Sequence, residues 1–189
     1  MEAILTSTAV VALAEIGDKT QLLAILLATR FKRPLPIIFG ILVATLANHA
    51  LAALVGSEAA ALLDSNIFRY VIAASFLAMA VWTLIPDKLD DDEAPKPRFG
   101  AFLTTLVAFF LVEMGDKTQV ATIALGAQYQ SVLAVTAGTT LGMMIANVPA
   151  IFLGHELLKR VNLKTVRMIT AALFLVIGLW VIAQTAGWL

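Results

Sequence analysis

The sequence EIGDKTQ at residues 15–21 recurs as EMGDKTQ at residues 113–119, 98 positions further along the chain. Each copy places two carboxylates and a lysine inside a long apolar segment. An ionisable side chain at the centre of a bilayer costs about 2.5–3.5 kcal/mol on insertion scales, and such residues normally face a bundle interior or a water-filled path. The two copies therefore indicate a polar centre buried within a membrane.

The match between the two halves extends well beyond this motif. Aligned at the same offset and without gaps, identical residues recur along most of both halves, including the pairs Gly40/Gly138, Gly56/Gly154, Arg69/Arg167 and Trp82/Trp180. Shared composition produces chance Leu and Ala matches, but it does not produce a run of identical polar residues. We therefore divide the chain into a first repeat (1–86), an acidic cytoplasmic linker (87–99) and a second repeat (100–189).

The composition is typical of an integral membrane protein. Hydrophobic residues make up 60% of the chain and charged residues 14%, against about 45–50% and about 25% in average soluble domains. A membrane-spanning helix needs about 20 apolar residues. The sequence predicts an all-α integral membrane protein with six transmembrane helices at residues 3–29, 35–56, 67–86, 100–127, 131–154 and 166–187.

The number of helices in each repeat predicts inverted topology. Since three is odd, the second repeat must enter the membrane from the opposite side to the first. Lys and Arg concentrate in the loops after the first, third and fifth helices, whereas only Arg69 lies on the opposite side. Positive loops face the cytoplasm, so we predict cytoplasmic basic loops and both termini outside, in the bacterial inner (cytoplasmic) membrane. Such repeats are typical of transporters, which bind substrate near the midplane and work by alternating access.

The spacing within each motif predicts which side chains lie together. On a continuous helix Glu15, Asp18 and Lys19 project from one side, because they are three and four residues apart. Thr20 falls on the far face unless the helix is distorted. Gly17 and Gly115 allow such a distortion, or a close approach of the partner helix.

If the motif helices cross at the pseudo-two-fold axis, their acids form a cage for a hard divalent cation. The predicted cation and proton ligands are Glu15, Asp18, Glu113 and Asp116. Oxygen ligands suit calcium, manganese and magnesium, and the chain has no cysteine thiolate for softer metals. The predicted supporting residues, which include neutral oxygen donors and the equivalent His49 and Asn147, are Lys19, Thr20, Gln21, Lys117, Thr118, Gln119, His49 and Asn147.

The charges of this cage favour an exchange mechanism. Four carboxylates, two lysines and one divalent cation sum to zero. When the cation leaves, two negative charges remain in a medium of low dielectric constant, and repulsion with desolvation favours proton binding. The hypothesis is therefore an exchange of about two protons for each divalent cation.

The duplicated motif resembles the E-x-G-D-[KR]-[ST] signature of the calcium/manganese:proton exchangers, a family that includes the Golgi cation exchanger of eukaryotes and bacterial manganese exporters. Both copies match every defined position, and the resemblance covers essentially the whole chain. It implies a secondary active transporter without a cofactor, in which the four motif acids bind a transported divalent cation. The similarity to bacterial members implies export of manganese, with calcium as the alternative substrate.

Other functions fit parts of the sequence. The same acids could line a passive cation channel, couple protons to the export of another small solute, or form structural ion pairs. The sequence departs from the intramembrane aspartyl proteases, because their motif requires glycine where Glu15 and Glu113 stand. Nucleic-acid binding is disfavoured, since the net charge is zero and no basic cluster is present.

Overall fold

The computed structural model describes residues 1–63, 65–86, 100–154, 156 and 161–188. Every regular element in that part of the chain is a helix, which confirms the all-α class. The predicted linker 87–99 lies outside the described residues. The helices are α1 (Glu2–Glu15), α2 (Lys19–Phe31), α3 (Pro34–Leu62), α4 (Asn66–Trp82), α5 (Ala101–Glu113), α6 (Lys117–Tyr129), α7 (Val132–Leu153) and α8 (Leu163–Thr185).

Three of these helices are each long and apolar enough to cross a membrane as a single helix. They are α3, α7 and α8, with 29, 22 and 23 residues, and about 20 residues suffice for the hydrocarbon layer. The shorter helices α4 and α5 are also apolar. Many large side chains on the outside of the bundle are hydrophobic, among them Leu51, Val71, Leu111 and Val176. The chain is a membrane protein.

The first motif interrupts a helix instead of lying on one. We expected one continuous helix over residues 3–29, but α1 ends at Glu15 and α2 begins at Lys19. Gly17 between them has φ +80°, a left-handed conformation that costs residues with a Cβ roughly 1–2 kcal/mol. Asp18 is the N-cap of α2, and its carboxylate accepts a hydrogen bond from the backbone N–H of Thr20. The expectation that Glu15, Asp18 and Lys19 share one helix face is therefore wrong.

The second motif breaks its helix in the same way. Residues 100–127 were expected to form one helix, but α5 ends at Glu113 and α6 begins at Lys117. Gly115 has φ +78°, and Asp116 caps the backbone N–H of Thr118. The bounds of α2 and α6 differ by the same 98 positions as the motifs. The duplicated sequence thus produces a duplicated local structure.

The broken helix of each half packs against α3 or α7 of the other half. A Cβ added at Gly142 of α7 would lie 2.7 Å from the carbonyl oxygen of Thr8 in α1. A Cβ at Gly40 of α3 would lie 2.8 Å from the carbonyl oxygen of Phe102 in α5. These glycines let the backbones approach closely, as small residues do between membrane helices. The two halves are therefore interlocked at both crossings.

A third close crossing joins α3 to α6. A Cβ added at Gly56 would lie 2.0 Å from the carbonyl oxygen of Ile123, and one at Gly126 would lie 2.5 Å from that of Ala53. The equivalent position in the second half is Gly154, which directly follows α7 and where no described atom lies within 4 Å of an added Cβ. The two ends of the bundle are therefore packed unequally, despite the repeated sequence.

Two apolar clusters lie on either side of the motifs. Along α3, one cluster contains Ile37 and Ile41 and the other contains Ala53 and Ala60, with buried polar residues between them. Those polar residues are Thr45, Asn48 and His49. The fold thus places a polar layer at the middle of the bundle, where the motifs meet.

Candidate cation site

Three carboxylates converge in this polar layer. Glu15, Glu113 and Asp116 each offer one oxygen atom, and these atoms lie within 4.8 Å of one another. Both glutamates are fully buried. Glu15 ends α1, Glu113 ends α5 and Asp116 caps α6, so the two helix breaks aim the acids at one point. Like charges this close repel, and a divalent cation with oxygen ligands would remove that repulsion.

Asp18, the fourth predicted carboxylate, lies outside this group. It forms an ion pair with Lys117 of the other motif, with 3.2 Å between Oδ1 and Nζ. The reverse pair joins Lys19 Nζ to Asp116 Oδ1 at 3.3 Å. Each lysine therefore neutralises an aspartate of the opposite half. These crossed ion pairs hold the two breaks together at the centre of the bundle.

The crossed pair Asp18–Lys117 is expected to couple the two halves energetically. Neighbouring charged residues show interaction energies of 0.5–3 kcal/mol in double-mutant cycles, and both side chains are at least nine-tenths buried. We expect a coupling energy of about 2 kcal/mol from the cycle of Asp18→Asn and Lys117→Met. Thermal unfolding of the purified variants in detergent measures it. Additive losses would show that the pair contributes nothing to folding.

The two threonines of the motifs both donate hydrogen bonds to Glu15. Thr20 donates to one carboxylate oxygen and Thr118 to the other. Thr20 reaches Glu15 because the helix is interrupted at Gly17. Thr118 belongs to the other motif, so this contact crosses between the halves.

Glu113 has different surroundings, although it is equivalent to Glu15 in sequence. Both of its carboxylate oxygens are buried without a hydrogen-bond partner in the described part of the chain. His49 Nε2 lies 3.7 Å from Glu113 Oε2, and both ring nitrogens of His49 also lack partners there. Glu113 is therefore the acid with the most unused coordinating capacity.

The two motif glutamines are engaged with the backbone. Gln21 Oε1 accepts a hydrogen bond from the N–H of Gly17 at 2.9 Å, and its Nε2 donates to the carbonyl of Ala146 at 2.9 Å. Gln119 Oε1 likewise accepts from the N–H of Gly115 at 2.8 Å. We predicted these oxygens as neutral donors to a cation. In this structure these oxygens instead accept hydrogen bonds from the backbone at the two helix breaks and so stabilise the breaks.

Asn48 is a polar residue of this layer that was not among the residues predicted from the sequence. Its Oδ1 accepts a hydrogen bond from Gln119 Nε2 at 3.0 Å, and its Nδ2 donates to the carbonyl of Phe110 at 2.9 Å. In the other half the equivalent position is Ala146, whose backbone carbonyl accepts from Gln21. An amide inside the apolar run 35–56, next to His49, was the available signal.

Asn147, the counterpart of His49, is bonded within its own helix. Its Nδ2 donates to the carbonyl oxygen of Met143 at 3.1 Å and lies 2.9 Å from the sulfur of that residue. Its Oδ1 is buried without a partner among the described residues. The pair His49 and Asn147 therefore makes the two halves chemically unequal at the same depth.

A family profile and several known proteins match this chain over most of its length. The profile of a family described as "Divalent cation/proton antiporter GDT1" matches residues 3–91 and 101–188. A Vibrio cholerae protein named "Putative manganese exporter" is 52% identical over 180 residues, which cover 95% of this chain and 90% of the relative.

Two less similar relatives have GDT1-like names. A GDT1-like protein of Synechocystis is 30% identical over 185 residues, covering 87% of this chain and 88% of the relative. GDT1-like protein 5 of Arabidopsis thaliana is 27% identical over 211 residues, with 92% of each chain covered. No solved structure is a significant match.

Proposed function

Because the chain belongs to the GDT1 family of divalent cation/proton antiporters, we propose that it exports manganese from the cytoplasm in exchange for protons. The family consists of transporters, so the protein is not an enzyme. Manganese is the transported substrate and not a resident cofactor. Glu15, Glu113 and Asp116 are the proposed ligands of the cation, with Asp18 alongside.

The observation that carries this proposal is the close group of three buried carboxylates beside two crossed ion pairs. Asp18 and Asp116 are neutralised by the lysines, which leaves the charges of Glu15 and Glu113. One divalent cation balances those two charges, and so do two protons. Since a net charge in the membrane interior is costly, the site favours states that hold either the cation or the protons. This is the basis of the proposed exchange.

The proposed architecture is six spans in two inverted repeats. Helices α1 and α2 together form the first span, and α5 and α6 together form the fourth. The repeated helix bounds and the two separate segments matched by the family profile support the division. The proposed orientation places both termini outside and the basic loops in the cytoplasm of a bacterial inner membrane. Alternating access then exposes a central site to each face of the membrane in turn.

Manganese is preferred over calcium in this proposal for two reasons. His49 places an imidazole nitrogen 3.7 Å from Glu113, and imidazole suits transition metals better than calcium, which takes oxygen ligands. The Vibrio cholerae relative, which is 52% identical, carries manganese export in its name.

Proton movement in sealed proteoliposomes tests the proposed exchange. An internal pH dye reports protons while a manganese or calcium gradient is imposed. We expect manganese to drive protons in the opposite direction, against their own gradient, with a larger response than calcium. In Asp18→Asn and Asp116→Asn the response should fall at least about tenfold, since even outer-shell partners of a metal site are worth 10–100-fold.

The alternatives give different outcomes in the same vesicles. A passive channel would pass manganese without driving protons uphill. A proton-coupled exporter of another solute would leave protons unmoved by either metal. Either result would contradict the proposed manganese/proton exchange.

A further inference from the structure

A narrow crevice reaches the motifs from one end of the bundle. It lies where α4 ends and α8 begins, the end that we propose to face the cytoplasm. Its volume is about 10 Å³, which is the size of a single water position. The lining residues that matter here are Asp18, Thr83, Lys117, Arg167 and Thr170. This access crevice therefore places Asp18, an acid of the proposed site, beside residues of α8 and the end of α4.

Thr83 contributes an unused oxygen to the access crevice. The residue is 4% exposed, and its hydroxyl has no hydrogen-bond partner in the described ranges. Its backbone N–H is already satisfied by the carbonyl of Met79 at 2.9 Å. Thr170, the other threonine of the crevice, donates its hydroxyl to the carbonyls of Leu13 and Val166. A buried hydroxyl without a partner carries a desolvation cost of about 1–3 kcal/mol. A polar ligand that bound to the Thr83 hydroxyl would remove this cost.

The opposite end of the bundle has apolar residues at the equivalent positions. At the offset of 98 residues, Thr83 corresponds to Val181 and Thr170 corresponds to Ile72. Both are buried and line a wider cavity of about 240 Å³. That cavity is lined by residues outside the two motifs. Asp18 therefore lines the narrow crevice, whereas no motif carboxylate is among the described residues that line the wide cavity.

The arginines do not account for this difference between the ends. Arg167 lines the access crevice and its equivalent, Arg69, lines the wide cavity. An arginine thus lies at both ends, and the hydroxyl of Thr83 against the isopropyl group of Val181 is a chemical contrast that remains. Hydroxyl oxygen is a hard, neutral ligand of the kind that divalent manganese accepts.

We propose that the Thr83 hydroxyl is a loading ligand, which binds the incoming divalent cation in the access crevice before Asp18 and the buried acids receive it. The inference rests on the proposed function and adds a specific step to it. A neutral oxygen holds the cation more weakly than a carboxylate does, so the ion passes inward. On arrival it competes with the Lys117 ammonium for Asp18. The apolar Val181 offers no such ligand, so loading is favoured from the Thr83 end.

The test compares the two faces of the membrane in Thr83→Val. Inverted and right-side-out vesicles present opposite faces, and manganese-driven proton movement gives the half-saturating manganese concentration at each. We expect a rise of about tenfold at the Thr83 face and no change at the other. Thr83→Ser, which keeps the hydroxyl, should behave as the wild type. Val181→Thr should lower the half-saturating concentration at the opposite face.

Thermal unfolding of the purified variants separates a loading role from a structural one. Removing an unpartnered hydroxyl without changing its shape is neutral or stabilising, so Thr83→Val should unfold at or above the wild-type temperature. A change at both faces, or at neither, would overturn the role of Thr83 while wild-type exchange stands. If the wild type moves no protons with manganese, the proposed function fails and the loading role with it.

Discussion

Glu113→Gln is expected to lower manganese-driven proton movement at least about 100-fold, beyond the 10–100-fold effect of outer-shell partners. Glutamine preserves the size of the side chain but removes a negative charge. Glu113 is fully buried, and its two oxygens have no hydrogen-bond partner in the described segments. No donor in those segments therefore depends on this carboxylate for its own hydrogen bond. The loss should appear in transport and not in folding.

The measurement is proton movement in proteoliposomes together with manganese binding to the purified protein in detergent. Glu58→Gln is the matched control, because Glu58 is an exposed acid on α3 and its neutralisation should change neither quantity. Thermal unfolding of both variants shows whether they are folded. Near-normal exchange by Glu113→Gln would mean that this acid is not a ligand of the transported cation.

Gly56→Ala is expected to destabilise the protein by at least about 3 kcal/mol, the upper part of the usual range for overpacked sites. The added Cβ would lie 2.0 Å from the carbonyl oxygen of Ile123. Because that oxygen belongs to the backbone of α6, a side-chain rotation cannot relieve the overlap. Helices α3 and α6 must separate, and the packing that closes this end of the bundle is lost.

Thermal unfolding and the yield of monodisperse protein measure this effect. Gly100→Ala is the control, since no heavy atom lies within 4 Å of a Cβ added there. We expect the control to retain the yield of the wild type. If Gly56→Ala unfolds at the wild-type temperature, the backbone contact between α3 and α6 does not exist in the folded protein.

The helical class followed from composition and from the length of the apolar runs, but the helix breaks did not. Glycine inside a membrane helix serves either as a kink or as a packing surface, and both uses occur here. Gly17 adopts a positive φ, whereas Gly40 lies within α3 and contacts α5. Tertiary packing decides which of these uses a glycine serves. The spacing of residues within one helix therefore does not predict where a helix breaks.

The environment of each site residue was harder to predict than its identity. A repeated sequence predicts equal surroundings for Glu15 and Glu113, yet both threonine hydroxyls bind Glu15. The inequality arises where the repeats differ, as at His49 and Asn147, and where the two ends of the bundle pack differently. The pairing of Lys19 with Asp116 also joins separate halves, which no local spacing reveals.

The crossed ion pairs have a consequence for biosynthesis. The ribosome delivers Asp18 to the membrane long before it makes Lys117, the residue that neutralises it. Until the second half is inserted, the first half holds a buried acid without its counter-ion, at the cost that intramembrane charges carry. We therefore expect the first half to be stable in the membrane only after the second half has been inserted beside it.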